Sequence, residues 1–129
     1  SSYQKMNSLK GELYFRENSE IEFPDARFDL TLNPESRIYK GHFPDNPITP
    51  GVCLLQTAVE LCEDVLGCSC RLIGCRNIKY VGLIQPSETP RISYNMKFEE
   101  AEDKRYKVKI TISGGETIFT KISLTVETI

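Results

Sequence analysis

The run Gly41-His42-Phe43-Pro44-Asp45-Asn46-Pro47-Ile48-Thr49-Pro50-Gly51-Val52 gathers the chain's chemistry into twelve residues. His42 is the only histidine, and imidazole is the one side chain whose unperturbed pKa, about 6.5, suits proton transfer near neutrality. Prolines at 44, 47 and 50 fix their own φ angles and restrict the residues before them, so the loop approaches the next element with little freedom. That element reads as a helix. Its first turn offers free backbone N–H groups and the positive end of the helix dipole, which can polarise a carbonyl oxygen. A rigid histidine beside such a helix start suits proton abstraction next to a carbonyl. A histidine that merely hydrogen-bonds within a loop is the plain alternative, and one histidine alone does not decide between them.

The helix is expected over about Thr49 to Leu66, with Thr49 as N-cap and Pro50 at its first position. Val52, Leu55, Val59, Cys62 and Leu66 recur at helical spacing, Leu54, Ala58, Leu61 and Val65 widen the apolar arc, and Gly67 can end it. Gln56, Glu60, Glu63 and Asp64 form a polar arc, of the kind usually left as a solvated face.

Strands surround this helix in sequence. Leu13 and Phe15 alternate in a short first strand, and Phe28, Leu30 and Leu32 in a second. After the helix, Leu72 to Tyr80 reads as a strand and Gln85-Pro86-Ser87 as a turn. Three alternating runs follow: Ile92 to Phe98, Tyr106 to Ile112, and Ile122 to Val126, with Gly114-Gly115 as the hairpin turn between the last two. One buried helix and mostly antiparallel strands make an α+β arrangement in which the sheet curls around the helix.

The bounds agree. A chain of 129 residues reads as one domain, with residues 1–8 expected to be a flexible or expression-derived tail. With 40% hydrophobic and 26% charged residues it is not a disordered chain. A net charge of −2 gives no reason to expect nucleic acid, and no apolar run is long enough for a membrane-spanning helix. Cys53, Cys62, Cys68, Cys70 and Cys75 are odd in number, and two lie on the apolar helix, which suits a reduced, cytoplasmic protein. Cys68-Ser69-Cys70 lacks a second pair or further histidines, so no metal is expected. Arg71, Arg76 and Lys79 are either a contact for an acidic partner or simply solubilising.

The pattern G-H-F-P-x-x-P-x-x-P-G-V before an apolar helix resembles the signature of the β-hydroxyacyl-acyl carrier protein dehydratases, hot-dog enzymes of type II fatty acid synthesis. Gly74 to Tyr80 and Gln85-Pro86-Ser87 extend the likeness, which runs from about Phe28 to Ile129. The resemblance implies a hot-dog fold, a curved mostly antiparallel sheet around one long helix. It implies His42 as catalytic residue, Gly51 as the residue whose N–H binds the thioester carbonyl, and Phe43 and Val52 beside them at the substrate. The family places a carboxylate five residues after the glycine; here that residue is Gln56, and the next residue on that helix face is Glu60. An amide orients a hydroxyl but is not a general acid near neutral pH, so Glu60 is the candidate to supply the acid from one turn deeper.

The implied reaction removes water from a 3-hydroxyacyl thioester, delivered by acyl carrier protein, to give a 2-enoyl thioester, without metal or organic cofactor. The implied assembly is a homodimer or a heterodimer of hot-dog chains. Two alternatives stay open: a degenerate hot-dog subunit that binds acyl chains or partners an active dehydratase, and an acyl thioesterase.

Overall fold

The alternation read from Ile92 to Phe98 sets the shape of the whole sheet in a computed structural model that describes residues 9–41 and 47–129. Ile92, Tyr94, Met96 and Phe98 all turn to one face and are all buried. The described strands are β1 (Tyr14–Glu22), β2 (Asp25–Leu32), β3 (Cys70–Tyr80), β4 (Arg91–Glu100), β5 (Arg105–Gly114) and β6 (Thr117–Thr128). They form one antiparallel sheet in the order β1-β2-β4-β5-β6-β3. In cross-strand register, Phe28 faces Tyr94, Tyr94 faces Ile112, and Ile110 faces Ile122, so the apolar side chains stack on the inner face. A short helix α1 (Arg37–Gly41) precedes the long helix α2 (Gly51–Leu66).

The buried side of α2, with Leu54, Ala58, Leu61 and Cys62, completes the core. Each large apolar side chain buried there stabilises the fold by roughly 1.5–3 kcal/mol. Tyrosines bring polar groups into this core and satisfy them. The Tyr94 hydroxyl donates to the Leu54 carbonyl at 2.9 Å, and the Tyr39 hydroxyl pairs with Thr49 Oγ1 at 2.8 Å. Gly67 ends α2 in the left-handed region at φ 70°, its N–H donating to the Glu63 carbonyl.

The hot-dog architecture forms as expected, with local corrections. Thr49 is not the N-cap. It lies outside the helix with its hydroxyl turned inward to Tyr39, Pro50 takes the cap position, and no side chain caps the start. The first strand is longer than expected, and it is Leu13 and Tyr14 that are buried while Phe15 is exposed. Helix α1 occupies part of what reads as loop. The turn at Gln85 does form, the N–H groups of Glu88 and Thr89 donating to the Gln85 carbonyl.

Candidate active site

Helix α2 carries four of the six candidate residues, and its two ends treat them differently. At the start, Gly51 is the first helical residue, and neither its N–H nor that of Val52 has a partner among the described residues. These belong to the four N–H groups that any helix leaves without an internal acceptor, and a side-chain cap would have taken one of them. Val52 is 72% exposed. Burial raises the nearby Cys53 thiol above its ordinary range, so it stays protonated near neutrality.

Gly51 is also held close by a residue the sequence reading passed over as a catalytic candidate. Tyr80, the last residue of β3, brings its hydroxyl against the Gly51 Cα, so that a Cβ built there would lie 2.3 Å from it. The signal was faint: an aromatic residue at the end of a mostly exposed strand, whose reach to the helix depends on the curl of the sheet.

One turn further along, Gln56 and Glu60 come together, the Gln56 amide donating to Glu60 Oε2 at 3.1 Å. Glu60 is neither a solvated residue nor an idle one. Its carboxylate also accepts from the Leu9 N–H at 2.9 Å, the Lys10 N–H at 3.1 Å and the Tyr14 hydroxyl at 3.0 Å. All four partners are donors, so a Glu60 acting as acid would have to release one of them to carry a proton. Burial and the Glu60 charge together hold the Tyr14 hydroxyl well above its ordinary pKa, so it remains a donor.

The rest of the polar arc is engaged too. Glu63 Oε2 accepts from the Cys70 N–H at 2.8 Å, and Asp64 pairs with Arg16 at 2.6 Å. The expectation of a solvated face is therefore corrected: these side chains fasten α2 to the N-terminal segment, to β1 and to the start of β3.

The Gln56–Glu60 contact fixes the direction of the amide. A carboxylate only accepts, so the NH₂ end of Gln56 must face it, and the Oε1 end points away with no partner among the described residues. His42 and Phe43 lie outside the described residues. All five cysteines are free, and among the described residues no group of three His, Cys, Asp or Glu side chains is placed to hold a metal ion. Arg71 is paired with Glu127, whose carboxyl is held below its ordinary range by the Arg71 hydrogen bond and then by Arg105.

A six-stranded antiparallel sheet wrapped on one long helix defines a hot-dog protein, and here the start of that helix has no side-chain cap. A family model described as ApeI-like, ApeI dehydratase, matches residues 16–121, and the chain belongs to that family. It is 26% identical over 106 residues to the 3-hydroxyacyl-[acyl-carrier-protein] dehydratase FabZ of Latilactobacillus sakei, an alignment that covers 77% of this chain and 68% of the relative. The FabZ of Levilactobacillus brevis is 25% identical over 104 residues, covering 75% and 68%. Among solved structures, the dehydratase heterocomplex ApeI:P from Xenorhabdus doucetiae superposes with a TM-score of 0.70 at 18% identity, over 88% of this chain and 96% of that one. A hypothetical thioesterase with coenzyme A from Streptococcus pneumoniae superposes at 0.67 with 9% identity, over 99% and 95%. No helix of the described residues is long and apolar enough to cross a membrane.

Proposed function

We propose that this chain is a 3-hydroxyacyl-thioester dehydratase acting on chains carried by acyl carrier protein in the cytoplasm. The observation that carries the reading is the open start of α2: Gly51 and Val52 present N–H groups without partners among the described residues, a few positions after His42 in the sequence. In this reading the Gly51 N–H donates to the thioester carbonyl oxygen and stabilises the enolate-like charge that develops there. His42 removes the proton from C2, and Phe43 and Val52 flank the acyl chain. The hydroxyl at C3 donates to Gln56 Oε1, which Glu60 holds facing outward by binding the other end of the amide. Glu60 is thus a positioning residue in this scheme, and the proton needed by the departing hydroxyl comes from His42 after the first transfer.

The proposed assembly is a two-fold pair. β3 is an edge strand of eleven residues, exposed along most of its length, and an unpaired edge is a template for another strand. Light scattering should show a dimer at micromolar concentration; a monomer would count against this assembly.

The test of function is a purified sample with a 3-hydroxyacyl thioester, followed by enoyl absorbance. His42→Ala should lower turnover by about 10²–10⁴-fold with the fold intact, the usual contribution of a general base. Activity indifferent to His42→Ala would overturn the mechanism. Gln56, standing where the family's carboxylate would be, favours one second reading, a subunit that works beside a complete hot-dog partner. Wild-type protein without activity, with activity appearing in Gln56→Glu, would establish that reading. Release of free thiol instead of enoyl product would mark a thioesterase.

A further inference from the structure

Among the described residues, one buried side-chain polar atom has no hydrogen-bond partner. Thr120 is fully buried, and its Oγ1 is without a hydrogen-bond partner among the described residues. A hydroxyl left so typically costs about 1–3 kcal/mol. Thr120 sits on β6 directly opposite Tyr80 on β3 and opposite Ile112 on β5. Residues directly opposite share a sheet face, here the inner one, since the neighbouring pair Ile78 and Ile122 packs into the core. Tyr80 starts beside Thr120 and ends at Gly51, so its side chain spans the line from the orphan hydroxyl to the open helix start. Tyr80 is 55% exposed, and its own hydroxyl has no partner among the described residues, so nothing polar locks the ring in place.

Resting on the dehydratase reading above, we propose that Thr120 is a specificity residue for acyl chains that carry a second oxygen substituent beyond C3. With the thioester carbonyl at Gly51, an acyl chain running along the Tyr80 ring would bring its more distant carbons to the Thr120 hydroxyl. An unsubstituted alkyl chain would leave that hydroxyl unpaired; a chain with a hydroxyl or carbonyl there would satisfy it. The acyl substrate class is therefore an oxygenated chain rather than a plain saturated one. The helix start supplies the anchor, and the orphan hydroxyl supplies the reader.

The experiment uses binding, so it does not depend on turnover. Acyl-pantetheine thioesters of one length are titrated into wild-type protein and Thr120→Val, one unsubstituted and others with a hydroxyl at C5, C6 or C7. At least one hydroxylated probe should bind wild type about tenfold more tightly than the unsubstituted probe, a factor matching one hydrogen bond, and Thr120→Val should erase that preference while keeping affinity for the plain chain. Valine has nearly the shape of threonine without the hydroxyl, so Thr120→Val should also melt at a higher temperature than wild type. A variant that melts lower would show that the hydroxyl is satisfied inside the fold, and would overturn the proposal. Equal binding of all probes to both proteins would overturn it too, while leaving the dehydratase reading standing. If no probe binds wild-type protein, the thioester reading itself fails and this one falls with it.

Discussion

The two ends of α2 are built to opposite rules. In its second half, Glu60 and Asp64 bind segments remote in sequence, Glu63 binds the start of β3, and burial covers Leu61 and Cys62 behind them. In its first turn, Gly51 and Val52 have backbone donors without partners among the described residues, Val52 is bare to solvent, and Tyr80 against Gly51 and Thr120 opposite Tyr80 are likewise unpaired among them. One end is closed by hydrogen bonds and the other is left open. Stability is concentrated where the polar groups are satisfied, and the proposed thioester site lies where they are not.

The strongest attempt to break this contrast is Glu60→Ala. It strands the Leu9 and Lys10 N–H groups and the buried Tyr14 hydroxyl together, and should cost about 2–4 kcal/mol of stability, measured by urea denaturation. A loss below half a kcal/mol would mean that the closed end is not closed by this residue.

A second test raises the pH. Burial lifts the Cys62 thiol well above its ordinary range and pushes Cys70 up to about 12, with the neighbouring Cys68 adding to the latter. Unfolded thiols ionise near 8.5. A group whose folded pKa is raised contributes stability that is present below its unfolded pKa and lost as pH rises through the folded value. The urea midpoint under reducing conditions should therefore hold steady up to about pH 8 and fall between roughly pH 8.5 and 12. Cys62→Ala together with Cys70→Ala should flatten that fall; an unchanged profile in the double variant would show these thiols to be irrelevant to it.

At the open end the expected effects on stability are smaller and those on activity larger. Gly51→Ala drives a methyl group into the end of Tyr80, which is flexible enough to swing aside, so stability should change by less than about 1 kcal/mol. Dehydratase turnover should nevertheless fall by about 10- to 100-fold, because the first N–H and its surroundings shift. Tyr80→Leu in the same chain should restore part of the loss. Smallest of all, Val52→Ser should leave stability within about 0.5 kcal/mol of wild type. If Val52→Ser destabilises as much as Glu60→Ala, the two ends do not differ.

The sequence announced those features that depend on neighbours along the chain. Alternation from Ile92 to Phe98 and from Tyr106 to Ile112 gave the strands their faces, and the apolar arc of Val52 to Leu66 gave the helix and its burial. Short-range rules failed where a distant contact outweighed them. Thr49 looks like an N-cap, yet its hydroxyl is drawn to Tyr39 in the core, while five residues of α1 are too few to display a helical period. The polar arc of α2 looked solvated because the partners of Glu60 and Asp64 lie some fifty residues earlier. Tyr80 and Thr120 became visible as a pair only once β3 and β6 were set side by side. Of the candidate site, the helix residues were legible as a group, but what each one touches was not.

The Gln56–Glu60 contact also constrains how the site can change over generations. The swapped order, glutamate at 56 and glutamine at 60, would put a carboxylate where the resemblance implies one, and passing between the two orders takes two substitutions. One intermediate carries two carboxylates a turn apart, which repel each other and leave no donor between them. The other carries two amides, which can still bond to each other and keep a group on which the N-terminal segment can rest. The double amide therefore keeps the contact between positions 56 and 60, and the double carboxylate loses it.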